Sequence, residues 1–523
     1  MRILIFHGYL LGGTGSNVYN ARLAEALVRL GHEVHLMSQD RHPERHSFVD
    51  AVGDWDTGTL RVRATRSGAH VRCTVYRPDI GALLPVYVAD RYEAIEARTF
   101  AECSDEEIAH YLDGNVAAVR ALLALVRPQL ALANHLVMGP VILARGLHGE
   151  VPYAVKVHGS ALEYTVKAAP ERFLPFAREG LAGARTVLVG SRHTALSMWQ
   201  ALADPTLAQR TRLGPPGVDV ARFSPREPAA AAAGLHALTA RLRSLEDREE
   251  SGASSAFSRD AAAGAAALER LDPSRDAIVA FVGKLIVSKG VDLLLAAWPL
   301  VLESVARARL VLVGFGAYRA ALERLCEALA DGELDEARRI ARAGRALESD
   351  SVEPAPLGHL LAFLESLRGA ERERYLLAAR GLRERVLFCG RLEHDELSEL
   401  LPACEALLVP STFPEAFGMV AAEAAACGVL PISAAHSGLA EVSEVLARAV
   451  PAEVAPLLSF PVDDEVVRAI AERVATWLSA EPGLRAGARA PLIAAVRERW
   501  SWESVAATVI AAAEGRLEEL AQP

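Results

Sequence analysis

The chain has little that would tie it to a membrane, a nucleic acid or a disulfide scaffold. Aromatic side chains make up only 6% of its 523 residues, and there are six cysteines and five methionines. The cysteines, at positions 73, 103, 326, 389, 404 and 427, lie far apart with no close pair. That spacing disfavours a zinc site or a disulfide framework and points to a reducing, cytoplasmic compartment. No segment has the roughly 18 or more apolar residues of a membrane span. The opening MRILIFHGYLLGG has one arginine and a short apolar run broken by His7 and Gly8, too brief for a signal peptide. A net charge of -10 makes a nucleic-acid partner unexpected, although it leaves room for a local basic patch that holds phosphates. What remains is a chain with 51% hydrophobic residues, well suited to packed cores and too long for one of them, so two large domains are expected.

Residues 407–442, LLVPSTFPEAFGMVAAEAAACGVLPISAAHSGLAEV, organise the rest. An apolar run ends at Pro410, Gly418 breaks the pattern, and an Ala-rich stretch runs on to Cys427, which reads as strand, loop and helix. Glu415 falls in the loop and Glu423 just over one turn inside the helix. A diphosphate suits the free N–H groups of such a helix start, and a carboxylate in its first turns can accept both hydroxyls of a ribose. Glu423 reads equally well as a solvated residue, and Glu415 as a charge favoured by the helix dipole.

The run E-A-F-G-M-V-A-A-E, followed by A-A-A-C-G-V-L-P-I-S and S-G-L-A-E-V, resembles the glutamate-seven-residues-glutamate signature of the family-4 retaining, nucleotide-sugar-dependent glycosyltransferases. The resemblance implies that Glu415 contacts the donor sugar, that Glu423 binds the ribose, and that backbone at Phe417, Gly418, Met419 and Val420 meets the diphosphate. It also implies a GT-B fold, an α/β arrangement of two doubly wound Rossmann-like domains facing a central crevice. The activity implied is transfer of a sugar, a hexose by expectation, from a nucleoside-diphosphate sugar to an acceptor hydroxyl.

The chain in order fits this frame. Residues 2–6 read as a buried strand, 7–16 as a loop with four glycines, 18–30 as a helix and 33–37 as a second strand. The resemblance places Gly12 and Gly13 beside the donor phosphates and Asn17 on the acceptor side. Residues 41–79 read as charged loop decoration; their Asp54-Trp55-Asp56 has the D-x-D form of a metal site but lacks an apolar strand beside it. Helices are expected at 82–98 and 104–126, then strands at 130–133 and 152–157. The second strand ends at His158, which by position faces the crevice or else is a satisfied core histidine. In the resembling family this histidine reaches the donor sugar, with Glu163 and Tyr164 following on the acceptor approach.

After a strand at 278–282 come Gly283 and two lysines with four residues between them, Lys284 and Lys289, placed to meet a diphosphate as point charges or to form a solvated pair. Gly314 opens a second turn near the ligand. Two departures from the family are visible: Lys284 stands where arginine is usual, and Pro216 where asparagine is usual. Two mainly helical insertions are also expected, a linker at 225–273 and an amphipathic segment at about 327–380, the latter read as an added lobe or a contact between subunits in a homo-oligomer. The resulting domains are 1–224 with a returning helix at 500–519, and 274–485. The catalytic set is His158, Lys284, Lys289 and Glu415, with no metal and no cofactor. An epimerase or phosphorylase on the same scaffold, or a non-catalytic sugar-nucleotide-binding subunit, stands as the alternative.

Overall fold

The computed structural model describes residues 1–12, 15–56, 58–65, 71–87, 96–246, 260–348 and 355–523. They form two compact units, Met1–Gly217 with Trp500–Pro523, and Val218–Arg499.

The first unit contains β1 (Arg2–Phe6), β2 (Glu33–Met37), β3 (Ala51–Asp56), β4 (Thr59–Ala64), β5 (Cys73–Arg77), β6 (Leu83–Val86), β7 (Glu96–Thr99), β8 (Leu130–Asn134), β9 (Tyr153–Lys156), β10 (Thr186–Val189) and β11 (Thr211–Leu213). Nine of these form one sheet in the order β11-β10-β9-β8-β1-β2-β5-β3-β4, parallel except for the β3–β4 pair; β6 and β7 pair separately. The central strands are buried almost throughout, as parallel strands covered by helices on both faces must be. Helix Trp502–Glu514 returns from the C-terminal end and buries Trp502, Val505, Ala506 and Val509 with Ile3, Ile5 and Leu132 of the sheet. From β1 the chain first winds toward β2 and later crosses to β8, so the strand order reverses between β1 and β8.

The second unit contains β12 (Ala277–Val282), β13 (Ala308–Val313), β14 (Val386–Gly390), β15 (Ala406–Val409), β16 (Leu430–Ala434) and β17 (Ser459–Phe460), all parallel, in the order β14-β13-β12-β15-β16-β17. Its order reverses between β12 and β15. In open α/β sheets, ligands sit outside the carboxyl ends of strands at such reversals. Both units are therefore Rossmann-like, and both have such a reversal.

Three sequence expectations fail. Residues 41–79 are not loop decoration: β3, β4 and β5 extend the first sheet, and exposed Arg61 and Arg63 on its edge strand β4 disguise it, as charges on edge strands do. The expected helix at 82–98 is instead the strand pair β6 and β7, whose intervening residues 88–95 lie outside the described ones. The linker insertion is helical as expected, but the segment at 327–380 is not an added lobe. Helix Pro228–Glu246 buries Leu235, Leu238 and Leu242 and packs on helix Ala261–Glu269, which lies along β14. The segment at 327–380 spends its apolar face inside the second unit. Phe363 and Tyr375 meet edge to face at 5.4 Å, and the Tyr375 hydroxyl donates to the Ala296 carbonyl at 3.0 Å. Removing such a fully buried ring leaves a cavity and takes one hydrogen bond from the Ala296 carbonyl. Tyr375→Ala is expected to lower the unfolding free energy by about 3–5 kcal/mol in denaturant titration; a loss under about 1 kcal/mol would mean that this segment is peripheral after all.

Candidate active site

At the reversal in the second unit, backbones crowd together where β12, β13 and β15 end. Gly314, just after β13, lies so close to the segment after β12 that a side chain there would place its Cβ 1.8 Å from the Gly283 carbonyl oxygen. Gly290 has φ +65°, and a Cβ there would lie 2.1 Å from the Pro410 oxygen. This second approach brings the turn bearing Lys289 against the loop after β15, and the Lys289 ammonium donates to Glu415 Oε1, a residue 126 positions away. Ser411 Oγ donates to the same carboxylate oxygen at 2.6 Å. The Glu415 backbone is fixed as well: its N–H donates to Ser437 Oγ at 2.9 Å, and its carbonyl accepts from the Gly438 N–H at 2.9 Å. His436 Nε2 donates to the Ser411 carbonyl at 2.7 Å and so ties both loops together. Lys284 is half-buried at the end of β12.

Helix Met419–Ala426 begins after Gly418 as the sequence predicts, and no side chain caps it. Its first N–H groups are therefore available to an anion, with half-buried Phe417, Met419 and Val420 around them. Glu423 is not a solvated surface residue. It is 3% exposed, and its Oε1 accepts from His394 Nε2 at 2.7 Å. The His394 ring meets Phe223 edge to face at 4.8 Å. Sequence reasoning missed His394, the first residue of helix His394–Leu400, and His436, which follows β16.

In the first unit, His158 stands half-buried after β9, with Nε2 3.0 Å from Asn134 Oδ1 and its ring edge-on to Tyr19 at 5.3 Å. Burial, followed by the neighbouring His135, Lys156 and His7, holds its pKa well below the usual histidine value, so the ring is neutral. Beneath it Lys156 is buried, donates to the Gly214 carbonyl at 2.5 Å and is pushed by burial to a pKa of about 7. Gly12 is open on its Cβ side, whereas Gly13 lies outside the described residues.

The acceptor-side expectations fare differently. Asn17 is only 4% exposed, locked by the Gly12 carbonyl at 2.7 Å and His7 at 3.0 Å, so it braces the loop instead of lining an open approach. Glu163 is paired with Lys167 at 2.9 Å and accepts from Ser197 at 2.7 Å, while Tyr164 is 53% exposed. Asp54, of the D-x-D sequence, lies within β3 and accepts from Arg77 Nε at 2.5 Å. Among the described residues, no group of three or more His, Cys, Asp or Glu is placed to hold a metal ion, and no helix is long and apolar enough to cross a membrane.

Two parallel Rossmann-like units, each with a polar site at its strand-order reversal, define the fold class of GT-B glycosyltransferases. Comparison with known proteins agrees. Residues 14–206 match the glycosyl transferase 4-like domain and residues 367–486 match glycosyl transferases group 1. The chain thus carries two glycosyltransferase domains; the first match takes in His158 and Asn134, the second His394, Glu415 and Glu423, and Lys284 and Lys289 lie outside both. An uncharacterised glycosyltransferase of Methanocaldococcus jannaschii is 27% identical over 165 residues; the match spans 32% of this chain and only 29% of that relative. Sucrose-phosphate synthase from Thermosynechococcus elongatus shares the fold at 18% identity and a TM-score of 0.56, covering 99% of this chain and 98% of its own. HepE from Anabaena, in complex with UDP and glucose, does so at 16% identity and a TM-score of 0.54, covering 99% and 100%.

Proposed function

We propose that the chain is a retaining, family-4-type glycosyltransferase that moves a sugar from a nucleoside-diphosphate sugar to an acceptor hydroxyl in the cytoplasm. The observation that carries this reading is the Lys289–Glu415 pair at the β12–β15 reversal, beside the uncapped start of helix Met419–Ala426. Leaving of the nucleoside diphosphate builds negative charge on the bridging oxygen and phosphates. Lys284, Lys289 and the helix-start amides are fixed positive groups that stabilise it without reorganising. Glu415 holds the donor sugar, Glu423 the ribose, and neutral His158 a sugar hydroxyl. The acceptor attacks on the face that the leaving group departs from, and the departing phosphate takes the proton, which preserves the anomeric configuration.

The lysines and helix amides supply the positive potential that a divalent ion supplies elsewhere, so turnover is expected to persist under exhaustive chelation. Activity that vanishes with chelator and returns only with magnesium or manganese would contradict this.

The reading as a whole is tested by mass spectrometry of UDP-, GDP- and ADP-sugars incubated with pooled alcohol acceptors, with UDP-glucose first. Transfer gives free nucleoside diphosphate together with an acceptor heavier by one sugar. Donor consumed or isomerised with no acceptor product would instead identify an epimerase or a phosphorylase.

A further inference from the structure

A continuous ladder of side chains runs behind His158 across the carboxyl ends of β1, β8 and β9, and its polarity is determined link by link. Asn134 Nδ2 donates to the Phe6 carbonyl at 3.2 Å and to Asn20 Oδ1 at 2.7 Å. With its amide nitrogen committed to two acceptors, Asn134 turns Oδ1 toward His158 Nε2 at 3.0 Å. An amide oxygen only accepts, so the proton of the neutral His158 ring is on Nε2. Asn20 is oriented in the same way, with Nδ2 donating to the Ser16 carbonyl at 2.9 Å and to His7 Nδ1 at 3.0 Å. His7 Nε2 faces two oxygens, the Leu10 carbonyl at 2.9 Å and Asn17 Oδ1 at 3.0 Å, and must donate. Asn17 Nδ2 ends the series on the Gly12 carbonyl at 2.7 Å.

Every link therefore donates in one direction, from His158 toward the glycine loop. Flipping any one amide would set two donors or two acceptors against each other. His7, Asn17, Asn20 and Asn134 are all buried, so such a mismatch would be costly.

We propose that Asn134, backed by Asn20, His7 and Asn17, is a positioning residue that locks His158 as the Nε2–H tautomer and leaves Nδ1 to accept a hydrogen bond from a donor-sugar hydroxyl. This rests on the reading that His158 faces the donor. His158 Nδ1 has no hydrogen-bond partner among the described residues. The sugar hydroxyl at His158 is then read as a donor, and the ladder ties that recognition to the loop at Gly12.

Nuclear magnetic resonance of the full chain labelled with 15N-histidine reads the tautomer directly from long-range proton–nitrogen correlations, with His158 assigned by its loss in His158→Ala. The parent is expected to show Nε2–H. Asn134→Leu is expected to give a mixed or Nδ1–H ring and to lower kcat by about tenfold to a hundredfold while the nucleoside-diphosphate Kd holds. An Nδ1–H ring in the parent, an unchanged tautomer in folded Asn134→Leu, or a changed tautomer with full turnover would each overturn the proposal. If Asn134→Leu fails to fold, Asn20→Ala, one link further back, is the second variant and is held to the same criteria. The spectrum needs no reaction, so a parent that shows Nε2–H but transfers no sugar overturns the glycosyl-transfer reading and, with it, the role given to Nδ1.

Discussion

Replacing Lys284 and Lys289 together by methionine lowers turnover at saturating donor by about 10²- to 10³-fold, the scale of losing fixed groups that act on charge developing in the transition state. Nucleoside-diphosphate affinity falls less, because the charge grows as the sugar bond breaks and the lysines act most strongly there. Folding is expected to survive. Lys289 and Glu415 are partly solvated, with side chains 28% and 24% exposed, and an ion pair of that kind adds little to stability. Glu415 also keeps the Ser411 hydroxyl when the lysine is gone. Thermal denaturation paired with steady-state rates makes the check, and a folded double variant with parental turnover would remove the lysines from the phosphate site.

Glu423→Ala is expected to weaken binding of the cognate nucleoside diphosphate by about 1.5–3 kcal/mol, or roughly ten- to 150-fold, the range for hydrogen bonds to a charged group. The carboxylate is buried and already held by His394, so it meets a ribose in a fixed orientation. His394→Ala is expected to give a smaller loss in the same direction, since it removes the brace and leaves the acceptor. Calorimetric titration of both variants decides this. Equal affinity in Glu423→Ala and the parent would take Glu423 out of the ribose site.

How much of this was legible beforehand depends on the range of the interaction. The buried strands β1, β2, β8, β12 and β15 and the helix start at Gly418 follow from apolar runs and a glycine break, which are local signals. The residues at their ends follow too, because a strand end in an open α/β sheet is a functional position whatever its sequence. The resemblance, with the strand-end position of the lysines, put Lys289 and Glu415 beside one donor, and the folded chain brings them into contact. His394 was invisible because its meaning lies in Glu423, 29 residues on, and its own surroundings spell a capped helix. Asn20 and Asn134 were invisible for a similar reason: an isolated asparagine carries no pattern, and the ladder exists only once β1 and β8 lie side by side. The charged edge of the first sheet misled in the opposite sense, since exposed arginines on β4 look like loop. The second insertion misled because an amphipathic helix does not state which partner its apolar face will meet; Tyr375 meets Ala296 of the same unit.

Sugar transfer and retention of configuration are both read in one measurement. An α-linked donor that is active in the acceptor screen is mixed with enzyme and acceptor, and the anomeric proton signal of the product is followed by nuclear magnetic resonance from the first minutes, before mutarotation of any free sugar interferes. An α-linked product whose signal rises as that of the donor falls is expected. A β-linked initial product, or loss of donor with no new glycosidic signal, would contradict it.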